Sequence, residues 1–469
     1  MVLQFLSESV LVCWLSLLVA TLLTYLLLPF VSRVTGAELS INWLMQPAII
    51  IVYLSAPFIL GIIAGIYPAL FLSSFQPAKT LKSLFTPKRK SVSFRKVLVV
   101  SQFGISIILI ITTLVVIQQL NFLQKKSLGY DREKLISFNM SVEMANSFEA
   151  FRSHIKNESY VVNMSVSSRI PTGRLLDNSG ASAPSGDTTV PLSADIKYLV
   201  TDYDFADTYG IQMKSGRYFS RDFGADTASF VLNEAAVKVL GWNHENAVGR
   251  PLIYGGQRGM VIGVIKDFHF ESLHQPISAM IFQYGNSSQA AFGKVSLKLA
   301  GGDIASSLAS LEQKWKQHFP ETPFDYSFID ERYKDLYEAE TRQASLFSYF
   351  SAIAILIACL GLFGLSAFMI SQRKKEIGVR KVLGANVRSI VVLLSIDFLK
   401  LVAIAAALAF PIAWFAMNNW LENFAYRVGI AWWIFIAAGV VASFIALITI
   451  SFLTIRAALS NPVKSLRTE

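Results

Sequence analysis

The sequence predicts an α-helical integral membrane protein with about six transmembrane helices and an α+β extracytoplasmic domain inserted between helices three and four. Two observations predict this fold class. The 469 residues are 53% hydrophobic and only 16% charged, with a mean hydropathy of +0.47, which excludes a disordered chain. The apolar residues are also concentrated in long uncharged stretches, and a polar region of more than two hundred residues separates them.

Six uncharged windows locate the membrane spans, because about 20 apolar residues are needed to cross about 30 Å of hydrocarbon as a helix. These windows are residues 9–32, 39–78, 97–120, 343–372, 401–421 and 428–455. The first window lacks a basic segment before it, so we interpret it as a retained span and not as a signal peptide. The fifth helix should begin near Val387, which would place Asp397 and Lys400 on one face where they can pair.

Three basic segments set the expected orientation. Residues 79–96 hold seven basic residues and no acid, residues 373–388 hold six against one, and the C-terminal tail is basic as well. The positive-inside rule places all three in the cytoplasm, so both termini are expected there and the polar insertion outside. Because the insertion itself is slightly acidic, the net charge of +10 reports topology, and we expect no nucleic-acid partner.

The polar insertion alternates strand-like and helix-like segments, which is typical of an α+β domain. The predicted strands are residues 134–139, 161–165, 190–200, 259–264 and 294–299, the predicted helices are residues 147–155, 205–210 and 303–318, and residues 230–241 should form a strand followed by a helix. Residues 118–126 and 330–342 continue spans three and four without proline. We therefore favour two stalk helices over a pair of flexible linkers.

The insertion shows no pattern of catalytic or metal-binding residues. The sequence contains no G-x-S-x-G, no H-E-x-x-H and no phosphate-binding glycine loop. His269 and His274 share the segment KDFHFESLHQP, but a spacing of five suits one helix face poorly and neither Cys13 nor Cys359 is near in sequence. We expect loop or surface histidines, no metal and no catalytic residue.

Two short motifs indicate an internal repeat. Residues 76–82 and 461–467 both read x-Pro-x-Lys-[Ser/Thr]-Leu-[Lys/Arg], and each follows a pair of spans. The alignment sets Pro77 and Lys79 against Pro462 and Lys464. It predicts that the chain is the C-terminal part of a larger duplicated membrane protein, whose first unit is represented only by its last two helices.

The segment SQRKKEIGVRKVLGANVRS, residues 371–389, predicts a short amphipathic helix between two spans. Glu376 and Arg380 are i, i+4 partners, Gly384 suits the helix stop, and Asn386 can cap the next helix. A loop whose basic residues serve only to set the membrane orientation would not need glycines at these positions or an apolar stripe. We therefore favour a docking element for a cytoplasmic partner over such a loop.

The same segment resembles a known family. KKEIGVRKVLGA is similar to the hallmark of FtsX/MacB-type ABC transporter permeases, with Val382 where alanine is common. The segments FRKVLVVSQFGISIILI, SLGYDREKLI, VLNEAAVKVLGW and VIGVIKDFHFESLHQPI are also similar to that family. The resemblance assigns a coupling helix, residues 373–385, to an ATPase. Its defining positions here are Glu376, Ile377, Gly378, Arg380, Lys381, Leu383, Gly384 and Ala385.

The resemblance implies a division of the chain into five parts. Residues 1–78 would hold two helices that end a first repeat, 79–96 a basic cytoplasmic linker, 97–120 a span, 121–342 a MacB-like periplasmic domain with stalk helices, and 343–469 an FtsX-like three-helix domain. The long two-unit type of permease is the nearest resemblance.

The resemblance also implies a function and partners. Such permeases are not enzymes themselves; a separate cytoplasmic ATPase subunit binds ATP and Mg²⁺, so this chain needs no cofactor. The protein would lie in the bacterial inner membrane. Closure of its spans would move the stalk and the periplasmic domain, and that motion would extrude peptides, antibiotics or lipoproteins. A dimeric or pseudo-dimeric permease is expected, and the family allows a periplasmic adaptor. The alternative is a non-transporting signalling or scaffold subunit that regulates a cell-wall hydrolase.

Overall fold

The computed structural model describes residues 2–40, 46–73, 94–185, 188–192, 195–285 and 292–459. The chain divides into two compact units. The first, here the membrane unit, comprises Met1–Thr113, Arg342–Ala413 and Trp432–Glu469. The second, here the outer unit, comprises Leu114–Thr341 and Trp414–Ala431.

Thirteen α-helices occur in the part of the chain that the structure describes. They are α1 Val2–Thr35, α2 Pro47–Ser73, α3 Phe94–Lys125, α4 Val142–Ile155, α5 Phe205–Tyr209, α6 Glu234–Val239, α7 His244–Ala247, α8 Ile304–His318, α9 Ile329–Asp335, α10 Glu338–Gln372, α11 Lys374–Val382, α12 Val387–Leu421 and α13 Trp432–Leu459. Among these described helices, α1, α2, α3, α10, α12 and α13 are long and apolar enough to cross a membrane. The chain is therefore a membrane protein.

The strands all belong to one mixed sheet of the outer unit. They are β1 Leu135–Asn139, β2 Val161–Ser167, β3 Ala181–Ser185, β4 Thr188–Leu192, β5 Lys197–Thr201, β6 Met213–Gly216, β7 Ser229–Asn233, β8 Pro251–Tyr254, β9 Gln257–Ile265, β10 Met280–Tyr284, β11 Lys294–Leu299 and β12 Tyr326–Phe328. Over the described residues the strand order is β12-β1-β11-β2-β5-β10-β7-β9-β8-β3-β4, with β6 paired to β9. The predicted fold class is confirmed, because this domain lies between the third and fourth membrane helices.

Aromatic side chains fill the core between the sheet and helices α4 and α8. Trp315 of α8 packs edge-to-face against Phe138 of β1 and Phe151 of α4, with ring centroids 5.0 and 5.8 Å apart. All three rings are buried, and each large apolar side chain removed from water contributes about 1.5–3 kcal/mol. This packing makes the sheet a rigid base for the loops that leave its ends.

Several predicted elements match closely and one is wrong. Strand β11 has the predicted bounds, and the predicted helix at 303–318 begins at Ile304 because the Asp303 side chain accepts a hydrogen bond from the Ala305 amide at 3.0 Å. The single strand predicted at 190–200 is instead β4 followed by β5. Since β4 pairs with β3 while β5 pairs in parallel with β10, the chain changes neighbours between them.

The two predicted stalk segments differ from each other. Helix α3 continues without a break to Lys125, as the sequence predicts, whereas the segment at 330–342 is interrupted between α9 and α10. Two tyrosines on either side of the end of α9 form hydrogen bonds with different parts of the outer unit. The Tyr333 hydroxyl donates to the Leu123 carbonyl at 2.9 Å, and the Tyr337 hydroxyl accepts from the Leu273 amide at 2.8 Å.

Close packing in the membrane unit depends on small residues. A Cβ added at Gly61 of α2 would lie 2.6 Å from the Val10 Cα of α1, so these two helices approach backbone to backbone. Trp14 and Phe58 lie edge-to-face on the same pair of helices, with ring centroids 5.5 Å apart. Small residues that allow such close approach are typical of helix pairs within membranes.

Candidate functional site: the short helix α11 and an outer loop junction

The predicted coupling segment forms the short helix α11 in the membrane unit. Arg380 pairs with Glu376 at 2.8 Å along the helix, and both side chains are about half exposed. Such an i, i+4 pair supports an isolated helix by only about 0.2–0.5 kcal/mol. Its charges are therefore available to a partner surface.

The end of α11 is shaped by Gly384 and Asn386. Gly384 adopts a φ of +91°, a left-handed conformation that favours glycine, and the Ala385 amide returns to the Arg380 carbonyl at 2.9 Å. The Asn386 side chain then accepts from the Ser389 amide at 2.8 Å and caps α12. These contacts turn the chain sharply from one helix into the next.

Exposed apolar side chains lie beside the ion pair of α11 and just after its last turn. Val382 is 65% exposed and Leu383 80% exposed, and Val379 is also exposed. Isolated exposed apolar residues are ordinary, but a cluster on a nine-residue helix beside an ion pair is a surface suited to docking. Asp397 of α12 pairs with Arg373 at 3.3 Å, not with Lys400 as the sequence suggested.

The remaining predicted site residues fall into two groups. Ile377, Gly378 and Lys381 lie on α11, while Leu383, Gly384 and Ala385 follow its last turn. The repeat motif residues lie outside the described residues; they are Pro77, Lys79, Pro462 and Lys464.

A second candidate site, which sequence reasoning missed, lies in the outer unit. We call it the loop junction: the contacts between the histidine loop, residues 267–278, the outer loop, residues 422–431 between α12 and α13, and the stalk residues beside them. Two main-chain hydrogen bonds join the loops, from the Ala425 amide to the His274 carbonyl at 3.2 Å and from the Tyr426 amide to the Leu273 carbonyl at 3.3 Å. The histidine loop and the outer loop are thus connected directly.

Gln119 of α3 fastens the outer loop to the stalk. Its amide nitrogen donates to the Tyr426 carbonyl at 2.9 Å, and its amide oxygen accepts from the Val428 amide at 3.0 Å. The side chain is fully buried, so losing either bond would leave a desolvated polar group, at a cost of about 1–3 kcal/mol. One side chain therefore satisfies two main-chain groups of the outer loop.

His274 connects the histidine loop to α10. Its Nε2 lies 3.1 Å from a Glu340 carboxylate oxygen, and its Nδ1 lies 2.6 Å from the Ser272 hydroxyl. The carboxylate favours the tautomer in which Nε2–H donates, since Nδ1 then accepts from the hydroxyl.

Aromatic rings enclose both histidines. The His274 ring stacks between Phe424 and Tyr337, at centroid distances of 4.3 and 5.8 Å, and His269 lies edge-on to Tyr426 at 4.6 Å. His269 is only 8% exposed, and burial lowers its pKa to about 4, with nearby Lys126 adding to the effect. It is therefore neutral near pH 7.

The expectation that these are loop or surface histidines is only half right. Both lie in a loop, but His269 is buried and both make specific contacts. The segment FHFESLH alternates aromatic and histidine residues. A loop that is fully exposed to water has no need of so many aromatic side chains, and this pattern could have indicated a packed loop. In the described residues, no group of three or more His, Cys, Asp or Glu side chains is arranged to hold a metal ion.

These features define a class: a membrane-spanning protein with an α/β domain between its third and fourth spans and a short exposed helix between its fourth and fifth. Residues 348–462 match the FtsX-like permease C-terminal family, from within α10 to just beyond α13. The chain is also 24% identical over 192 residues to the macrolide export ATP-binding/permease protein MacB of Aggregatibacter actinomycetemcomitans, covering 39% of this chain and 29% of that protein.

Two further similarities follow. The uncharacterized ABC transporter permease YknZ of Bacillus subtilis is 23% identical over 185 residues, covering 38% of this chain and 46% of YknZ. The crystal structure of the periplasmic region of MacB from Actinobacillus actinomycetemcomitans covers 45% of this chain and 97% of that region, with 16% identity and a TM-score of 0.32. The matched region spans less than half the length of either curated relative. The predicted resemblance to FtsX/MacB-type permeases is confirmed by the family match and these two relatives.

Proposed function

We propose that this chain is the permease subunit of an ABC transporter, and that it transmits ATP hydrolysis in a separate cytoplasmic subunit to its periplasmic domain. The motion would drive export of peptides, antibiotics or lipoproteins. The observation that carries the proposal is the loop junction. It ties the outer loop between α12 and α13 to α3 through Gln119, and it ties the histidine loop to the outer loop through Tyr426 and to α10 through Glu340. The junction therefore links four segments: α3, α10, the outer loop and the histidine loop.

The distribution of ionisable groups supports transmission by helix movement over passage between the helices. Helix α2 carries none, and in the other described spans most ionisable side chains lie toward the helix ends. A path for a polar substrate through a membrane normally displays such groups along it. Movement of helices instead requires stiff elements with defined attachments, which α3 and the junction supply.

The short helix α11 is the proposed contact with the ATPase. It combines the exposed Glu376–Arg380 pair with exposed apolar side chains at Val382 and Leu383. An interface of this kind gains specificity from charge and affinity from apolar burial. The proposal places α11 and both termini in the cytoplasm of a bacterium, the outer unit in the periplasm, and two permease copies or halves around one pair of ATPases.

The proposal is tested by purifying the tagged chain in detergent and measuring ATPase activity in whatever ABC ATPase co-purifies. The wild-type chain should retain such an ATPase. The variant Glu376→Lys/Arg380→Glu should lose it, because the swap keeps the pair within the helix and reverses only the charges offered to the partner.

A matched control is the swap Glu312→Lys/Lys316→Glu on α8, an i, i+4 pair of the outer unit. It should leave the co-purified ATPase unchanged. Retention of the ATPase by the α11 swap would remove α11 from the interface. Absence of any ABC ATPase from the wild-type preparation would contradict the proposed function itself.

A further inference from the structure

The membrane unit contains a groove between α3 and α10 that the proposed function does not use. It has a volume of about 430 Å³, and its lining includes Arg95, Leu98, Gln102, Gly364 and Phe368. Most of the lining is apolar or glycine, and its two polar side chains, Arg95 and Gln102, both lie on α3. One end of the groove is therefore cationic and the remainder is hydrophobic.

Arg95 provides the charge at the start of α3. Its guanidinium lies over the Phe368 ring, 4.0 Å from the ring centroid, and the side chain remains exposed. The described contacts of Arg95 include no carboxylate partner, so its charge is available to an anion. Arg95 is the second residue of a membrane helix, and basic side chains at the ends of such helices are attracted to the phosphates of anionic lipids.

Gln102 lies seven residues further along α3, about 10 Å deeper by helix rise. Its amide oxygen is buried and makes no hydrogen bond within the described chain. A buried polar group without a partner is costly, and turning this amide would present its NH₂ group to an acceptor. A Cβ at Gly361 would collide with the same amide, so glycine there leaves room for it.

We propose that this groove binds one anionic phospholipid of the bilayer. The phosphate pairs with Arg95, an ester carbonyl accepts from the Gln102 amide, and an acyl chain lies along Leu98 and Gly364. Charge complementarity at Arg95 selects an anionic over a zwitterionic lipid. The groove lies wholly within the membrane unit, so the proposal does not depend on the ATPase or on the exported molecule.

The test is native mass spectrometry of the full chain in detergent, titrated with phosphatidylglycerol or with phosphatidylcholine. One phosphatidylglycerol should bind with at least about fivefold preference, as one basic residue at a membrane surface provides. Arg95→Gln should abolish the preference. Arg33→Gln, at the last turn of α1, is the matched control and should retain it.

A second variant tests the apolar part of the groove. A Cβ at Gly364 meets no atom within 4 Å, so Gly364→Leu fills the space without a clash and should abolish tight binding. Gly439→Leu, in a different groove between α12 and α13, is its control. Equal binding of both lipids by the wild-type chain, or a preference that Arg95→Gln retains, would show annular lipid only and overturn the proposal. A wild-type dimer that Gly364→Leu dissociates would overturn it as well, because the groove would then hold a second copy.

Discussion

The short helix α11 and the loop junction contrast in how each is built. Helix α11 is a local structure: its ion pair, its stop and the cap that follows it involve residues at most six positions apart, and much of its surface is exposed. The loop junction joins residues as distant as Gln119 and Val428, and its contacts are buried or partly buried. The difference indicates two tasks. An exposed local helix suits contact with another subunit, whereas a buried non-local network suits transmission of force within one chain.

The largest expected effect is loss of the ATPase on placing a charge on the exposed apolar part of α11. Leu383→Asp should abolish co-purification of the ATPase, because the carboxylate would be desolvated at the interface. The thermal stability of the purified chain should change by less than about 0.5 kcal/mol, since Leu383 is 80% exposed. Both are measured on the same preparation.

The matched control is Val162→Asp on β2, another exposed apolar position. It should leave the complex intact. If Leu383→Asp retains the ATPase as well as the control does, α11 is not a docking surface, and the contrast with the junction fails.

The second effect concerns the junction. Gln119→Leu keeps a side chain of similar size but replaces the polar amide with an apolar group, which removes both hydrogen bonds to the outer loop. We expect amide hydrogen exchange in residues 414–431 to accelerate by an amount corresponding to about 1–3 kcal/mol. The ATPase should still co-purify, while its coupling to export should be lost.

Gln118→Leu offers a neighbouring control, because the amide oxygen of Gln118 has no hydrogen-bond partner among the described residues. Exchange in the outer loop should be unchanged in that variant. Equal acceleration in both variants would indicate a general weakening of α3 and contradict the specific role of Gln119.

The third effect is a pH dependence of folding stability that arises beside the sheet and involves neither α11 nor the loop junction. Asp202 is 5% exposed and shares the Arg152 guanidinium with Asp204. Burial raises the pKa of Asp202 to about 7; Arg152 opposes this shift and Asp204 adds to it. Between about pH 4 and pH 7 the folded protein therefore keeps a proton on Asp202. The unfolded chain, in which this carboxyl has a pKa near 3.9, releases that proton. The contributed stability is present below about pH 4 and lost as pH rises through about 7.

Asp202→Asn should remove this dependence. Between pH 5 and pH 8 the wild-type chain should lose stability relative to the variant, on the order of a few kcal/mol. Thermal unfolding at the two pH values measures it, with the exposed residue Asp325 changed to Asn as the control. Parallel pH profiles for Asp202→Asn and wild type would contradict the raised pKa.

The smallest effect is the opposite pH response at His269. Burial lowers the pKa of His269 to about 4 from an ordinary 6.5, so folding favours the neutral ring. The stability it contributes is present above about pH 6.5 and lost as pH falls through about 4. Amide exchange in the outer loop should accelerate between pH 6.5 and pH 4.5 beyond its intrinsic pH dependence, by at most about 2 kcal/mol.

His269→Phe keeps an aromatic ring against Tyr426 and should abolish that acceleration. His318→Phe changes a histidine packed on Phe151 in another part of the outer unit and serves as control. If His269→Phe retains the full acid response, another group titrates at the junction.

Local features of the fold were predictable because their causes are local. Six spans follow from uncharged stretches, since hydrocarbon excludes charge. Gly241 ends the predicted strand–helix segment with a φ of +71°, and Gly210 closes α5 with a φ of +63°, both as the sequence indicated. Strands β3, β6, β8, β10 and β12 were missed because each has only three to five residues and is defined by its neighbours.

By itself the sequence determined the membrane helices, the inserted α+β domain and the resemblance carried by α11, because hydropathy, capping and glycine geometry act within a few residues of the chain. Only the tertiary structure decided that β4 and β5 separate, that Asp397 pairs with Arg373, and that His274 meets Glu340. Each of those outcomes depends on which distant segment arrives beside it. Local patterns do not encode that choice, because the burial of the whole core determines it.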